Sequence, residues 1–371
     1  MKPTLPHPRK RPLVLDRHTS QTSEADNQNG VSRGAELTFV LCAERGVLER
    51  QVLFLCDSIR RFAGRYRDSQ IVAVSPRKGR EMTAWTKRRL EALFVDVVEG
   101  AINTECLDYG PANKVYAAAH VAKVARSEVL VLLDSDTVFL DEPDFTLADA
   151  DVAVRPVDVK GMTSTGPGDA ADTYWRNLCE VCAVDYAAIP FVETTVDQVK
   201  VKASYNGGLT VIRRASGIYE KCADFFTRSI RAGLRPYKGR RHRVHASDGY
   251  VGQVAAEHWG SVQAVLSLAI WSTTRNVKIL DNRYNVPLHK ADLLRDAGRL
   301  PSVEAMIHVH YHYCFNRRFM VNNYVIRHSD LLEPDRLSFL RQYAPLDRWG
   351  WKARRTFLER LGSWPLSSRI H

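Results

Sequence analysis

The chain has 371 residues, of which 45% are hydrophobic and 26% are charged, and its formal net charge at pH 7 is +11. This composition is ordinary for a globular protein and allows one large domain or two small ones. No run of about 18 apolar residues occurs, which argues against a membrane-spanning helix, and the N-terminus carries no apolar segment of the signal-peptide type.

Charge and cysteine content indicate the kind of partner and compartment. The excess of Lys and Arg favours polyanionic partners, namely nucleotides, acidic or phosphorylated glycans, anionic lipid or nucleic acid. The seven cysteines are odd in number and lack the spacing of a disulfide framework, which favours a reducing compartment. We therefore expect a cytoplasmic protein.

Strands and helices alternate in the first half of the chain. Residues 1–34 are polar, and we predict that they form a disordered tail. The hydrophobic pattern then predicts strands at 37–43, 70–75 and 95–98 and helices at 48–62, 83–94 and 112–125. Such alternation predicts right-handed βαβ units and a mostly parallel sheet.

The next stretch, 129–140, begins as an unbroken apolar run that ends in Asp134, Ser135 and Asp136. A strand that is buried on both faces of a parallel sheet has this pattern. On a strand the two aspartates would point to one side and Ser135 to the other. Two adjacent carboxylates repel each other unless a cation lies between them, and ligands bind at the carboxyl edge of such sheets. The motif therefore predicts a divalent metal site for a nucleotide diphosphate; the alternative is a strand that ends in an Asp-rich turn.

Beyond residue 140 the pattern is less regular. We predict a strand at 151–154, a loop at 161–168, helices at 172–182, 217–231 and 247–257, an extended segment at 199–212 and a strand at 306–313. The basic loop 235–245 is either a solvated loop or a clamp on an anionic acceptor. We expect one domain over 35–330 and a basic helical extension over 331–371. The extension either lies on an anionic membrane as a peripheral contact or packs on the domain.

Two further motifs carry candidate site residues. The run Asn206-Gly-Gly208 is predicted to interrupt the extended segment. Its two glycines either let the backbone approach a ligand closely or form a bulge or tight turn. His308, His310 and His312 alternate, so a strand would place all three imidazoles on one face. Three imidazoles together can bind zinc, and the alternative is that at least two are ordinary hydrogen-bonded histidines.

Four of these features stand in a fixed order, which resembles that of GT-A fold glycosyltransferases. They are Asn113 and Lys114 before a helix, the Asp134 to Asp136 motif, the Asn206 to Gly208 element, and the late pair His310 and Tyr311. The chain is most similar to the glycogenin-type (family 8-like) retaining nucleotide-sugar transferases, over residues 37–315. The resemblance implies an α/β fold: a Rossmann-like, mostly parallel sheet flanked by helices, with a small antiparallel subsheet and a C-terminal helical tail.

The resemblance also implies roles for individual residues. Asp134 would help to hold the ribose and the metal, Asp136 would be the main metal ligand and His310 would complete the metal site. Lys114 would contact the donor, and Asn206, Gly207 and Gly208 would lie beside the donor sugar, with Asn206 in a catalytic role. We also expect Ala43, Glu44 and Ser135 to bind the donor.

The sequence departs from the family at two places. The Lys-Pro-Trp that normally follows the late histidine is replaced by residues 314–318, so Arg317 or Arg318 would have to contact the diphosphate. The Asp-Gln pair of the family is best matched at 248–253. Asp248 is therefore either the catalytic carboxylate or only a residue at a helix N-terminus after the N-cap Ser247.

The expected function is transfer of a sugar from a nucleotide-diphosphate sugar to a glycan or glycoconjugate acceptor. Carboxylate, phosphate and imidazole ligands suit Mn²⁺ or Mg²⁺, with Lys114 and Arg317 as auxiliary cations. The alternatives are a nucleotidyltransferase on a similar sheet, a His-rich zinc hydrolase, and a non-enzymatic protein that binds nucleic acid or lipid. We expect no nucleic-acid partner, because aromatic residues are not interleaved with the basic loops as base stacking requires.

Overall fold

A seven-stranded sheet is the centre of the computed structural model, which describes residues 37–247, 249–312 and 333–343. The described strands are β1 (Leu37–Cys42), β2 (Gln70–Ser75), β3 (Val95–Glu99), β4 (Val129–Leu133), β5 (Thr137–Phe139), β6 (Val152–Pro156), β7 (Phe191–Glu193), β8 (Lys200–Lys202), β9 (Tyr205–Arg213), β10 (His245–Ala246), β11 (Gly249–Tyr250), β12 (Val277–Ile279), β13 (Val286–Pro287) and β14 (His308–His310). The described helices are α1 (Val47–Phe62), α2 (Ala84–Ala92), α3 (Ala112–Val124), α4 (Asp172–Cys182), α5 (Ile218–Arg231), α6 (Gln253–Glu257), α7 (Ser261–Trp271), α8 (Ala291–Asp296) and α9 (Pro334–Tyr343).

The central sheet has the spatial order β12-β6-β9-β4-β1-β2-β3. Every neighbouring pair is parallel except the two that involve β9, which runs antiparallel to β4 and β6. The other strands form a three-stranded sheet in the order β13-β14-β5 and two small antiparallel pairs, β7-β8 and β10-β11. The predicted α/β class, with a mostly parallel sheet and a small subsheet, is confirmed.

The apolar run of β4 is buried on both faces, as its composition predicts. Leu130 and Leu132 belong to a core that includes residues of α3, α4, α5 and α7. Val129, Val131 and Leu133 belong to a second core that includes residues of α1 and α2. Because side chains alternate along a strand, this division places helices on the two faces of the sheet. Among the described residues, none of the helices has both the length and the apolar content needed to cross a bilayer.

Three sequence-based predictions for the second half are wrong in detail. Residues 247–257 are not one helix: β11 occupies Gly249–Tyr250 and α6 begins only at Gln253. Residues 207 and 208 do not interrupt an extended segment but lie inside β9. The histidine strand ends at His310, because His312 adopts a left-handed φ of 50° that an extended strand does not allow. The predicted tail at 1–34 lies outside the described residues. Of the predicted helical extension at 331–371, residues 333–343 are described: they contain α9, which packs through Phe339, Leu340 and Tyr343 on a core that includes Phe54 of α1 and Val138 of β5.

Candidate active site

One edge of the central sheet collects the polar residues that the sequence singles out. The parallel strands β1, β4 and β6 end at this edge, and the antiparallel strand β9 begins there. Glu44, Asp134 and Asp158 therefore follow three strand ends, at the same edge where Asn206 lies as the second residue of β9. Open α/β sheets bind their ligands at this position.

Asp134 forms an ion pair with Lys114 of α3. The Lys114 ammonium donates to the two carboxylate oxygens at 2.8 and 3.1 Å and approaches the carbonyl oxygen of Gly207 at 3.4 Å. The backbone N–H of Asp134 donates to the carbonyl of Gly208 at 3.1 Å. The aspartate, the lysine and the start of β9 are thus held together as one unit.

Asp136 lies beside the histidines of β14 because β5, which follows it, pairs with β14 in register. His310 is opposite Thr137 in that antiparallel pair. Its Nε2 lies 3.2 Å from Asp136 Oδ1 and 4.0 Å from Asp134 Oδ2, and His312 Nδ1 lies 3.8 Å from Asp136 Oδ2. Both aspartates therefore converge on one imidazole nitrogen, although they lie beyond the end of β4 and not on a strand.

The charges of this cluster are mutually dependent. Burial alone would raise the pKa of Asp136, but the charge and hydrogen bond of His310 and the nearby His312 outweigh burial and lower it. Burial would lower the pKa of His310, yet its interactions with Asp136 and Asp134 raise it. The pKa of His312 falls well below its ordinary value through burial and the neighbouring His310. The Asp136 carboxylate and a protonated His310 therefore stabilise each other's charged forms.

The donor set fits the divalent cation that the family resemblance implies. Oxygen and nitrogen ligands that share one ion at about 2.1 Å lie about 3 to 4 Å apart, as the donors around His310 do. Asp136, His310 and His312 have ligand atoms that all lie within 4.8 Å of one another. In each imidazole the ring nitrogen that does not face the aspartates, Nδ1 of His310 and Nε2 of His312, is buried without a hydrogen-bond partner among the described residues.

Ser135, between the two aspartates, points away from them. Its hydroxyl donates to Gln51 Oε1 of α1 at 3.0 Å, while the hydroxyl of Thr137 donates to the Asp134 carbonyl at 2.7 Å. These contacts fix the turn after β4. A role for Ser135 in binding the donor stays a prediction.

Gly207 and Gly208 are needed because other side chains occupy the space above them. A Cβ on Gly207 would lie 2.6 Å from Lys114 Nζ. A Cβ on Gly208 would lie 2.5 Å from Asn285 Oδ1 and 2.6 Å from His310 Nδ1. The two glycines thus admit the lysine and the histidine to the sheet edge, which neither sequence-based interpretation of them anticipated.

Asn206 connects β9 to a buried carboxylate that the sequence analysis missed. Its Oδ1 accepts from the Gly208 N–H at 3.0 Å and its Nδ2 donates to Asp158 Oδ2 at 2.9 Å. Thr195 donates to the other oxygen of Asp158 at 3.0 Å. Burial raises the pKa of Asp158. The sequence could have indicated Asp158, because this residue follows the predicted strand at 151–154 and therefore lies at the carboxyl edge of the sheet.

The remaining predicted residues are placed as follows. Ala43 and Glu44 follow β1 and are buried, and Glu44 forms a bidentate ion pair with Arg77. His308 is fully buried with its ring 4.6 Å from that of Phe139, and it takes no part in the cluster around Asp136. Asp248 and Arg317 lie outside the described residues.

Comparisons with known proteins identify the family. Residues 39–237 match the family described as the Rhodobacterales glycosyltransferase domain, which covers more than half of the chain and confirms the resemblance to glycosyltransferases. The matched region contains Lys114, the two aspartates and Asn206 but ends before the histidine strand. A search of curated protein sequences finds no match.

Solved structures of glycosyltransferases are also similar to this chain. A WbbM bifunctional glycosyltransferase is 16% identical over 76% of this chain, with a TM-score of 0.45, and the chain spans only 47% of it. The galactosyltransferase LgtC, in complex with donor and acceptor sugar analogs, is 12% identical over 80% of this chain and 95% of its own, with a TM-score of 0.45. Glycosyltransferase GlyE of Streptococcus pneumoniae TIGR4 is 11% identical over 91% and 67%, with a TM-score of 0.41.

Proposed function

The chain belongs to the Rhodobacterales glycosyltransferase family, and from that premise we propose that it moves a hexose from a nucleotide-diphosphate sugar to a glycan or glycoconjugate. The observation that carries the proposal is the convergence of Asp134 and Asp136 on His310 Nε2, with the Lys114 ammonium beside them. This arrangement combines oxygen and nitrogen ligands for a hard cation with a fixed positive charge, as a departing diphosphate requires.

Asp134, Asp136 and His310 would hold Mn²⁺ or Mg²⁺ in this proposal. When bound, the ion neutralises negative charge on the diphosphate as it leaves. Lys114 supplies a second positive charge at the same edge, because its ammonium is held 2.8 Å from Asp134. Asp136 is nearly fully buried, so a low local dielectric strengthens its interaction with any cation it binds.

Asn206 and Asp158 would border the sugar. Sugar transfer passes through an oxocarbenium-like state, in which positive charge builds on the ring, and a nearby carboxylate stabilises that charge. Both polar atoms of the Asn206 amide are already bonded within the protein. We therefore assign Asn206 the role of positioning Asp158. A catalytic carboxylate at Asp248 and a diphosphate contact from Arg317 remain predictions.

The state of the cysteines supports a proposal for the cellular compartment of the reaction. The six cysteines of the described residues are free, and five of them are buried, which suits a reducing cytoplasm where nucleotide sugars would be consumed for bacterial glycan synthesis. Contact with the inner membrane through the basic tail at 331–371 remains a prediction.

A screen of nucleotide sugars tests the proposal. Thermal unfolding of the full chain is measured with each nucleotide sugar, with and without Mn²⁺, and product formation is followed for those that stabilise it. We expect one nucleotide sugar to raise the melting temperature only with the metal, because a ligand that binds the native state stabilises it.

The matched variants are Asp136→Asn, which should abolish this shift, and Asp68→Asn at an exposed aspartate, which should retain it. A shift of equal size in Asp136→Asn, or turnover of the nucleotide sugar without a divalent metal, would contradict the proposal.

A further inference from the structure

A second group of donors lies next to the first. Asp158, His289 and His312 each offer one ligand atom, and these three atoms all lie within 4.8 Å of one another. The group is built from three separate parts of the chain: the segment after β6, the turn after β13 and the turn after β14. Chain proximity alone therefore does not explain their meeting.

The pairing of β13 with β14 explains why two of these imidazoles meet. The strands are parallel with Pro287 opposite His310, so His289 and His312, each two residues further on, emerge side by side. Their rings lie 4.0 Å apart at an interplanar angle of 82°. The left-handed φ of 50° at His312 turns the chain at this point, a conformation that non-glycine residues adopt at an energetic cost.

The third donor, Asp158, is oriented before any ligand arrives. One of its carboxylate oxygens accepts from Asn206 and the other from Thr195, as outer hydrogen bonds commonly fix a metal-binding carboxylate. Asp158 is buried, and within the described parts of the chain it has no ion-pair partner. A buried carboxylate normally has a positive partner.

His312 belongs to both groups, so it must be assigned to one of the two metal positions. It lies 3.8 Å from Asp136 and also belongs to the set with Asp158. A neutral imidazole binds a metal through one nitrogen. Because Asp134 can complete the set of Asp136 and His310, His312 is available for the second group.

We propose that Asp158, His289 and His312 form a second divalent metal position, beside the one assigned to Asp134, Asp136 and His310. Two imidazoles and one carboxylate favour a borderline transition metal such as Zn²⁺, Co²⁺ or Ni²⁺ over Mg²⁺. The inference goes beyond the proposed function, which needs one cation only, and its test requires no sugar transfer. While Asp158 binds the second ion it is not free to stabilise the sugar ring, so its two assigned roles belong to different metal states of the site.

Cobalt stoichiometry tests the inference without an activity assay. Full-length protein freed of metal is titrated with Co²⁺, and the bound metal is counted by elemental analysis and visible absorption. We expect two equivalents for the wild type and one for Asp158→Asn and for His289→Gln. Asp136→Asn should lose the other equivalent, and His120→Gln, a histidine change on α3 outside both groups, should retain both.

The inference would be overturned if Asp158→Asn and His289→Gln bound as many equivalents as the wild type. If the wild type bound one equivalent that Asp136→Asn lost and these two variants kept, that result would overturn it as well. If these variants do not fold, wild-type crystals grown with Co²⁺ decide the question by anomalous scattering. Two peaks, one of them beside Asp158, support the second position, and a single peak beside Asp136 contradicts it. Transferase activity measured on the same samples keeps this result separate from the proposed function.

Discussion

The candidate active site has an aspartate side, formed by Lys114, Asp134 and Ser135, and a histidine side, formed by His310 and His312. The two sides differ in how many of their polar atoms have a hydrogen-bond partner. On the aspartate side, Lys114 bonds to Asp134 and Ser135 bonds to Gln51. On the histidine side, the buried Nδ1 of His310 and Nε2 of His312 have no partner among the described residues. Buried polar atoms are nearly always bonded, so the histidine side is the less satisfied of the two. The open Nδ1 of His310 is not the nitrogen that meets the aspartates, because that atom is Nε2.

Removal of Asp136 should have the largest effect, because it joins the two sides. We expect Asp136→Asn to lower kcat by about a thousand-fold, since a metal ion stabilises a transition state by several kcal/mol. Steady-state kinetics on the nucleotide sugar found by the screen measure the loss. A fall of less than tenfold would show that Asp136 does not anchor the cation, and Asp68→Asn is the matched control.

Gly208→Ala should damage the histidine side. The added Cβ would lie 2.6 Å from the His310 ring and 2.5 Å from Asn285, and both side chains are buried with little room to move. We expect metal affinity to fall by about 10- to 100-fold, the range seen when groups that orient a ligand are changed. Calorimetric Mn²⁺ titration measures it. Gly100→Ala, where a Cβ meets nothing within 4 Å, should bind as the wild type does.

Gly207→Ala should have a smaller effect than Gly208→Ala, and it should act on the aspartate side. Its Cβ would meet the Lys114 side chain, at 2.6 Å from Nζ and 3.1 Å from Cε, and a lysine end can shift by rotation about its own bonds. We expect the KM for the donor to rise by less than about tenfold, because the lysine charge is displaced but retained, while metal affinity stays unchanged. If Gly207→Ala lowered the metal affinity as much as Gly208→Ala does, the metal would not be held by the histidine side alone, and the proposed difference between the two sides would be wrong.

His258 is a buried histidine that belongs to neither donor group. Its ring stacks on Tyr109 at 5.7 Å, and burial, with Arg235 nearby, lowers its pKa from 6.5 to about 4. The unfolded chain therefore takes up a proton below pH 6.5 while the folded chain does not, so this contribution to the free energy of unfolding falls between pH 6.5 and about 4.

Denaturant unfolding at several pH values, with wild type and His258→Gln compared, isolates that contribution. We expect the wild type to lose more stability than the variant over this pH range. We also expect Mn²⁺ to leave the difference between the two proteins unchanged. Equal pH slopes in both proteins would contradict the pKa assignment.

The aspartate side was largely predictable from sequence. The apolar run of β4 has a local pattern that determines its burial, and the two aspartates follow it directly. The predicted strands and helices of the first half agree with β1, α1, β2, α2, β3 and α3 to within about two residues at each end. That agreement is physically reasonable, because hydrophobic periodicity within one element is a local property.

The histidine side was less predictable because its geometry depends on pairing between distant segments. His289 reaches His312 only through the register of β13 with β14, and no local pattern of such short strands reveals that register. The left-handed φ of His312 also broke the expected strand. Asp158, by contrast, could have been predicted. Ligands bind at the carboxyl ends of the strands in such sheets, and this rule, which selected Asp134 after β4, applies equally to the end of β6.

Calorimetric titration of nucleoside diphosphates, with and without Mn²⁺, tests the central claim most directly. The claim is that Asp134, Asp136 and His310 hold a cation that receives the diphosphate. We predict that wild-type protein binds one of the nucleoside diphosphates at least about tenfold more tightly with Mn²⁺, and that His310→Gln loses this gain while it keeps the metal-free affinity. Equal affinity with and without the metal, or an undiminished gain in His310→Gln, would contradict the claim.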